Sequence, residues 1–131
     1  MPIRIVIVED HQAFRETLKQ FLELEEELDI SVVGVAGNAE EAVRLARDLS
    51  PQLILMDMAM PFVKCLEAMR SIKVKWPGTK VIAMSVFLEE QYRRAAAESG
   101  ADAFVSKDVL REKLVPTIRE VIGKGPGRRA T

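Results

Sequence analysis

Five short apolar runs recur along the chain: Ile3 to Val8, Ile30 to Ala36, Leu53 to Met56, Lys80 to Met84 and Ala103 to Val105. They are rich in Val and Ile and mostly bounded by polar or turn residues, which predicts five strands. The hydrophobicity is continuous rather than alternating, as expected of strands covered on both faces. Between the runs lie segments with a helical period. Phe14, Leu18, Phe21, Leu22 and Glu25 follow i, i+3, i+4 spacing, while Arg15, Glu16, Lys19 and Glu23 occupy the other face. A second helix is predicted from Ala39 to Leu49, with Asn38 as its N-cap and Ser50-Pro51 at its end. A third covers about Leu66 to Val74 and is stopped by Trp76-Pro77-Gly78. The fourth runs from about Glu89 to Ser99, closed by Gly100 as a left-handed cap. Asp108 is placed to cap the fifth, which runs toward Ile122 with Pro116 inside it as a potential kink.

Strands alternating with helices imply a parallel sheet with right-handed crossovers and helices on both faces. Five such units predict an α/β fold of the flavodoxin-like type, a doubly wound (βα)5 sheet in strand order 2-1-3-4-5. Its switch point lies between the first and third strands. This topology matters because Glu9 and Asp10 follow the first strand and Asp57 ends the third. Ligands of open α/β sheets bind at the carboxyl ends of strands, so the order brings three acids to one crevice, where they suit a divalent cation.

Composition narrows the classes. The chain has 131 residues, 48% of them hydrophobic and 30% charged, which fits one domain with a proper core and excludes a disordered tail or a fibre. Nineteen basic against twenty acidic residues give a net charge of -1, so no overall field favours nucleic acid or an anionic membrane. No apolar stretch approaches a membrane span and the N-terminus lacks the layout of a signal peptide, which makes a cytoplasmic location the expectation. The lone Cys65 cannot form an internal disulfide. Residues 1–123 read as the folded domain. Residues 124–131, Lys-Gly-Pro-Gly-Arg-Arg-Ala-Thr, read as a flexible basic linker or tail.

Four fragments stand at strand ends in order: Val8-Glu9-Asp10-His11, Met56-Asp57-Met58-Ala59-Met60-Pro61, Ser85, and Gly100-Ala101-Asp102-Ala103-Phe104-Val105-Ser106-Lys107-Asp108. Together they resemble the receiver domain of a two-component response regulator over almost the whole chain. The first and last fragments look most like receivers that precede a helix-turn-helix output module, the NarL/FixJ (LuxR-type) class.

The resemblance implies specific roles. Asp57 would be the phosphoacceptor. Asp10 and Asp57 would be carboxylate ligands of Mg2+, with Glu9 holding a water and the backbone carbonyl of Ala59 as a third protein ligand. Lys107 would place a positive charge on a phosphate oxygen and Ser85 a hydroxyl. Movement of Ser85 would open space for Phe104, the switch aromatic of the fifth strand. The implied partners are a sensor histidine kinase, a second copy of the chain, and a C-terminal DNA-binding output domain that this sequence does not include. No membrane contact and no direct nucleic-acid binding by this domain are expected. Such a protein is not an enzyme in the metabolic sense: it catalyses only its own phosphoryl transfer and dephosphorylation.

Taken singly, these residues have plainer readings. Asp10 could cap a helix, Lys107 could be a surface lysine, and Phe104 and Met56, Met58 and Met60 could be core. His11, the only histidine, reads as a helix-start residue rather than a phosphodonor. Their joint placement favours the acidic pocket. Two features depart from the family pattern. After Met60-Pro61 receivers usually carry a small polar residue and then glycine, where Lys64 and Cys65 stand. A cysteine in place of glycine is expected to strain or reshape the loop, and Lys64 is either a solvated helix-start lysine or a lure for phosphate. The sequence also stops after the linker, as a receiver cut from a longer regulator or a stand-alone receiver would. A pseudo-receiver acting as a phosphorylation-independent dimerisation or docking module is the alternative. A small phosphatase or nucleotide-binding protein ranks below both, because no Gly-rich loop follows the first strand and no second acid stands two residues past Asp57.

Overall fold

The computed structural model describes residues 1–123. The expected 124–131 linker lies outside the described residues. Five strands, β1 (Ile3–Val8), β2 (Ile30–Ala36), β3 (Leu53–Asp57), β4 (Lys80–Ser85) and β5 (Ala103–Ser106), alternate with α1 (Gln12–Glu23), α2 (Ala39–Leu49), α3 (Phe62–Lys75), α4 (Glu90–Glu98) and α5 (Leu110–Gly123). They form one parallel sheet in the order β2-β1-β3-β4-β5, as the alternation predicted.

Successive residues of each strand serve opposite faces of the sheet. Val6, Val8, Ile54, Met56, Val81 and Ala83 join a core with α2, α3 and α4, in which Met58 and Met60 are also buried. Ile5, Ile7, Leu53, Leu55, Ile82 and Met84 join a second core with α1 and α5. β3 is buried along its entire length. The register then sets the site: Val8 lies beside Met56, Asp57 beside Met84, and Ser85 beside Ser106.

Helix ends follow local chemistry. Asn38 caps α2 by accepting from Glu41 N at 2.8 Å, as expected. Gly100 follows α4 with a φ of 104°, the left-handed conformation its position predicted. Two expectations are corrected. α3 begins at Phe62, a turn before Leu66, because Pro61 supplies the entry without a side-chain cap. Asp108 does not cap α5: it sits inside a 3₁₀ turn, Lys107–Val109, where its carboxylate accepts from the Ser106 hydroxyl.

Candidate acidic site at the strand ends

The site is assembled from the carboxyl ends of β1, β3, β4 and β5. Glu9 extends the β1 pairing by one bond, its N–H donating to Ala36 O at 2.9 Å. This holds its side chain inward, 1% exposed, while Asp10 remains exposed at the rim. Asp57, the last residue of β3, is 4% exposed. Carboxylate oxygens of Glu9, Asp10 and Asp57 all lie within 4.8 Å of one another. Oxygen donors at this spacing suit a hard divalent cation. Two buried carboxylates would be costly without compensation. Lys107, immediately after β5, supplies it: its Nζ lies 2.8 Å from Glu9 Oε1 and 3.2 Å from Asp57 Oδ1.

Ser85 is buried beside this group at the end of β4. Its Oγ accepts from Phe87 N at 2.8 Å and donates to Phe87 O at 3.2 Å, so its one donor hydrogen is used locally. Phe87 in turn stacks on Tyr92 of α4 at 4.8 Å, and Tyr92 meets Phe62 of α3 edge-on at 5.2 Å. Phe104 is partly buried against the core under α4, and the Arg93 guanidinium lies 4.6 Å above its ring. Ala59 is exposed two residues past Asp57, in the connection to α3.

The departures from the usual pattern are resolved by the earlier start of α3. Cys65 lies in the first turn of this helix, and the one non-glycine residue with positive φ among the described residues is Ser50. The cysteine therefore imposes no backbone strain, contrary to expectation. It is fully buried, and its thiol donates to the backbone carbonyl of Asp57 at 3.1 Å. Burial is the main cause that pushes this thiol up to about 11, against a lowering bond from the Met60 backbone, with nearby Asp57 and Asp10 adding to the rise. A neutral thiol is a poor redox handle. Lys64 is exposed and lines a groove with Ala39, Glu40 and Val43 of α2, as a solvated helix lysine does.

His11 starts α1 as its position predicted, its Nδ1 accepting from Phe14 N at 3.3 Å. Other contacts escaped the sequence: the His11 N–H donates to Glu9 Oε2 at 3.2 Å. Arg15 donates to the Glu9 carbonyl at 3.1 Å. Phe14, placed on the apolar face of its helix by spacing, presents its ring 4.4 Å from Lys107 Nζ. The last contact joins residues far apart in the chain and has no local signature. Asp102, part of the matched block, acts away from the site: its carboxylate accepts from Val81 N at 2.8 Å and pairs with Lys73 at 2.9 Å, locking β5 to β4 and α3.

No helix among the described residues is long and apolar enough to cross a membrane. Comparison with known proteins agrees with the architecture. The family model described as the response regulator receiver domain matches residues 5–119. The transcriptional regulatory protein DegU of Brevibacillus brevis is 35% identical over 94% of this chain and 51% of its own length. The chain thus spans about half the length of the curated relatives it matches. Among solved structures, a LuxR-family two-component response regulator from an Aurantimonas species superposes with a TM-score of 0.87 at 29% identity, covering 100% of this chain and 90% of that one. The receiver domain of NarL from Mycobacterium tuberculosis gives 0.85 at 26% identity, covering 94% and 98%. With its sheet order, its strand-end acids and these relatives in agreement, the chain belongs to the response regulator receiver domain family and is similar to the receivers of NarL/LuxR-type regulators.

Proposed function

We propose that this domain is a phosphorylation-dependent signalling switch in which Asp57 accepts a phosphoryl group from a sensor histidine kinase in a Mg2+-dependent reaction. The observation that carries this reading is the convergence of Glu9, Asp10 and Asp57 within 4.8 Å, with Lys107 bridging two of them. A carboxylate oxygen of Asp57 forms the new bond to phosphorus, and the bond from phosphorus to the donor imidazole nitrogen breaks. Such transfers depend on positioning and on neutralising oxygen charge. Bound Mg2+ supplies charge neutralisation; Asp10, Asp57 and the Ala59 carbonyl would hold it, with Glu9 holding a water. Lys107 gives the phosphoryl oxygens a positive partner once its hold on Asp57 is released.

The product carries about -1.5 to -2 charge and three acceptor oxygens. The Ser85 hydroxyl donates to one of them and gives up its bond to the Phe87 carbonyl. This loosens Phe87 from its place against Tyr92 and frees the start of α4. Phe104 can then shift its packing beneath Arg93, changing shape rather than a surface hydrogen bond, since its ring has no hydroxyl. The altered α4 and β5 surface would act on self-association or on a DNA-binding output module. The domain catalyses its own phosphorylation and dephosphorylation and turns over no metabolite.

The test is the intact mass of the chain after incubation with acetyl phosphate and Mg2+, beside Asp57→Asn. A single phosphoryl increment in the native chain and none in the variant is expected. No increment in either, with Mg2+ still bound, would overturn the reading in favour of a phosphorylation-independent docking module.

A further inference from the structure

Lys107 is held by more than the two carboxylates. Its ammonium lies 4.4 Å from the ring centroid of Phe14, on the first turn of α1, and its side chain is 15% exposed. An ammonium over an aromatic face is attracted by the ring quadrupole, and more strongly where water is partly excluded. Phe14 also lines a cavity of about 210 Å³ between α1 and α5, with Thr17, Leu18, Phe21, Leu110 and Arg111, into which the lysine stem opens. The ammonium therefore has three neighbours: Glu9, Asp57 and the ring.

These neighbours are not equivalent. Asp57 would be a direct ligand of a divalent cation and Glu9 would hold one of its waters, so the cation competes with Lys107 for the two oxygens it now holds, Glu9 Oε1 and Asp57 Oδ1. The ring of Phe14 is the one neighbour free of that conflict. We infer that Phe14 is a positioning residue of this site: its ring holds the Lys107 ammonium when Glu9 and Asp57 turn to the metal, so the lysine yields the acids while remaining within reach of Asp57. This inference rests on the reading of the acids as a Mg2+ site.

The test is the Mg2+ affinity of the native chain, Phe14→Leu and Phe14→Tyr, measured by titration calorimetry with Mg2+ as the sole ligand. Leucine keeps an apolar side chain but removes the aromatic face; tyrosine keeps the face. The ring touches the ammonium in the metal-free structure too, so only its tighter hold on an ammonium released by the acids counts, and Phe14→Leu is expected to weaken Mg2+ by ~3–5-fold. Phe14→Tyr is expected to stay within about two-fold of native. In a Lys107→Ala background the leucine substitution should have no effect on affinity, because the cation it served is gone. Equal losses for leucine and tyrosine, no loss for leucine, or an undiminished loss without Lys107 would each overturn the inference. Failure of the native chain itself to bind Mg2+ would instead remove the metal-site reading on which the inference stands, and the inference with it.

Discussion

At Cys65 a thiol occupies a position where related receivers favour glycine, and it is accommodated because the helix begins early enough to give it helical backbone. Its S–H donates to the carbonyl of Asp57, and its burial favours the neutral form. The folded-state value of about 11 stands above the ordinary 9.0, so the unfolded chain releases this proton first as pH rises. The associated stability is whole below pH 9 and is lost as pH climbs from 9 toward 11. Denaturant melts of the native chain and Cys65→Ala across that window should show the native chain losing stability more steeply, by up to about 1.4 kcal/mol per pH unit. Parallel slopes would mean that the thiol titrates alike in both states. The residue was visible in the sequence as an oddity. Its partner was not, since a bond to a main-chain carbonyl depends on where the helix starts.

At the scale of elements, the strands were legible because each carries an unbroken apolar run, and Asn38 and Gly100 marked their helix ends through chemistry confined to a few residues. The start of α3 was not. Phe62 and Val63 give no polar cap and little helical preference, and the entry is set by Pro61 and by packing of Cys65 beneath Asp57. The Asp108 error has a similar origin, because a 3₁₀ turn stands between β5 and α5 and uses the acid within itself. The link from α4 to β5 yields a direct expectation. A Cβ at Gly100 would stand 2.8 Å from Lys73 Cγ, and the backbone there has a φ of 104°. Lys73 cannot swing aside freely, since its Nζ also donates to Thr79 O and Asp102. Gly100→Ala should cost roughly 1–3 kcal/mol, read from urea melts. A loss below about 0.5 kcal/mol would show that the connection relaxes without strain.

For the whole molecule, the site acids were legible because the order 2-1-3-4-5 sets the ends of β1 and β3 side by side, and their sequence positions alone then imply a cluster. The compensating charge comes from the far edge, where Lys107 follows β5 and ties it electrostatically to β1 and β3. Removing one partner of a buried charge group is more damaging than its net contribution suggests, because the acids are left unpaired. Lys107→Ala should therefore lower metal-free stability by roughly 3 kcal/mol. Saturating Mg2+ should recover much of that loss, since a ligand bound only by the folded state adds stability by mass action. Calorimetric Tm values with and without Mg2+ test this. An equal deficit in both conditions would show that the lysine does not balance the acids.

The thiol beneath Asp57 also has a practical consequence. As the chain's single cysteine, fully buried, it is a native clock for opening of α3 over the carboxyl end of β3, at Asp57. A disulfide reagent can modify it only when α3 lifts from β3, so its modification rate counts those openings without any label being introduced. Comparing that rate before and after treatment with acetyl phosphate would show whether the proposed phosphorylation tightens or loosens the ground on which Asp57 stands.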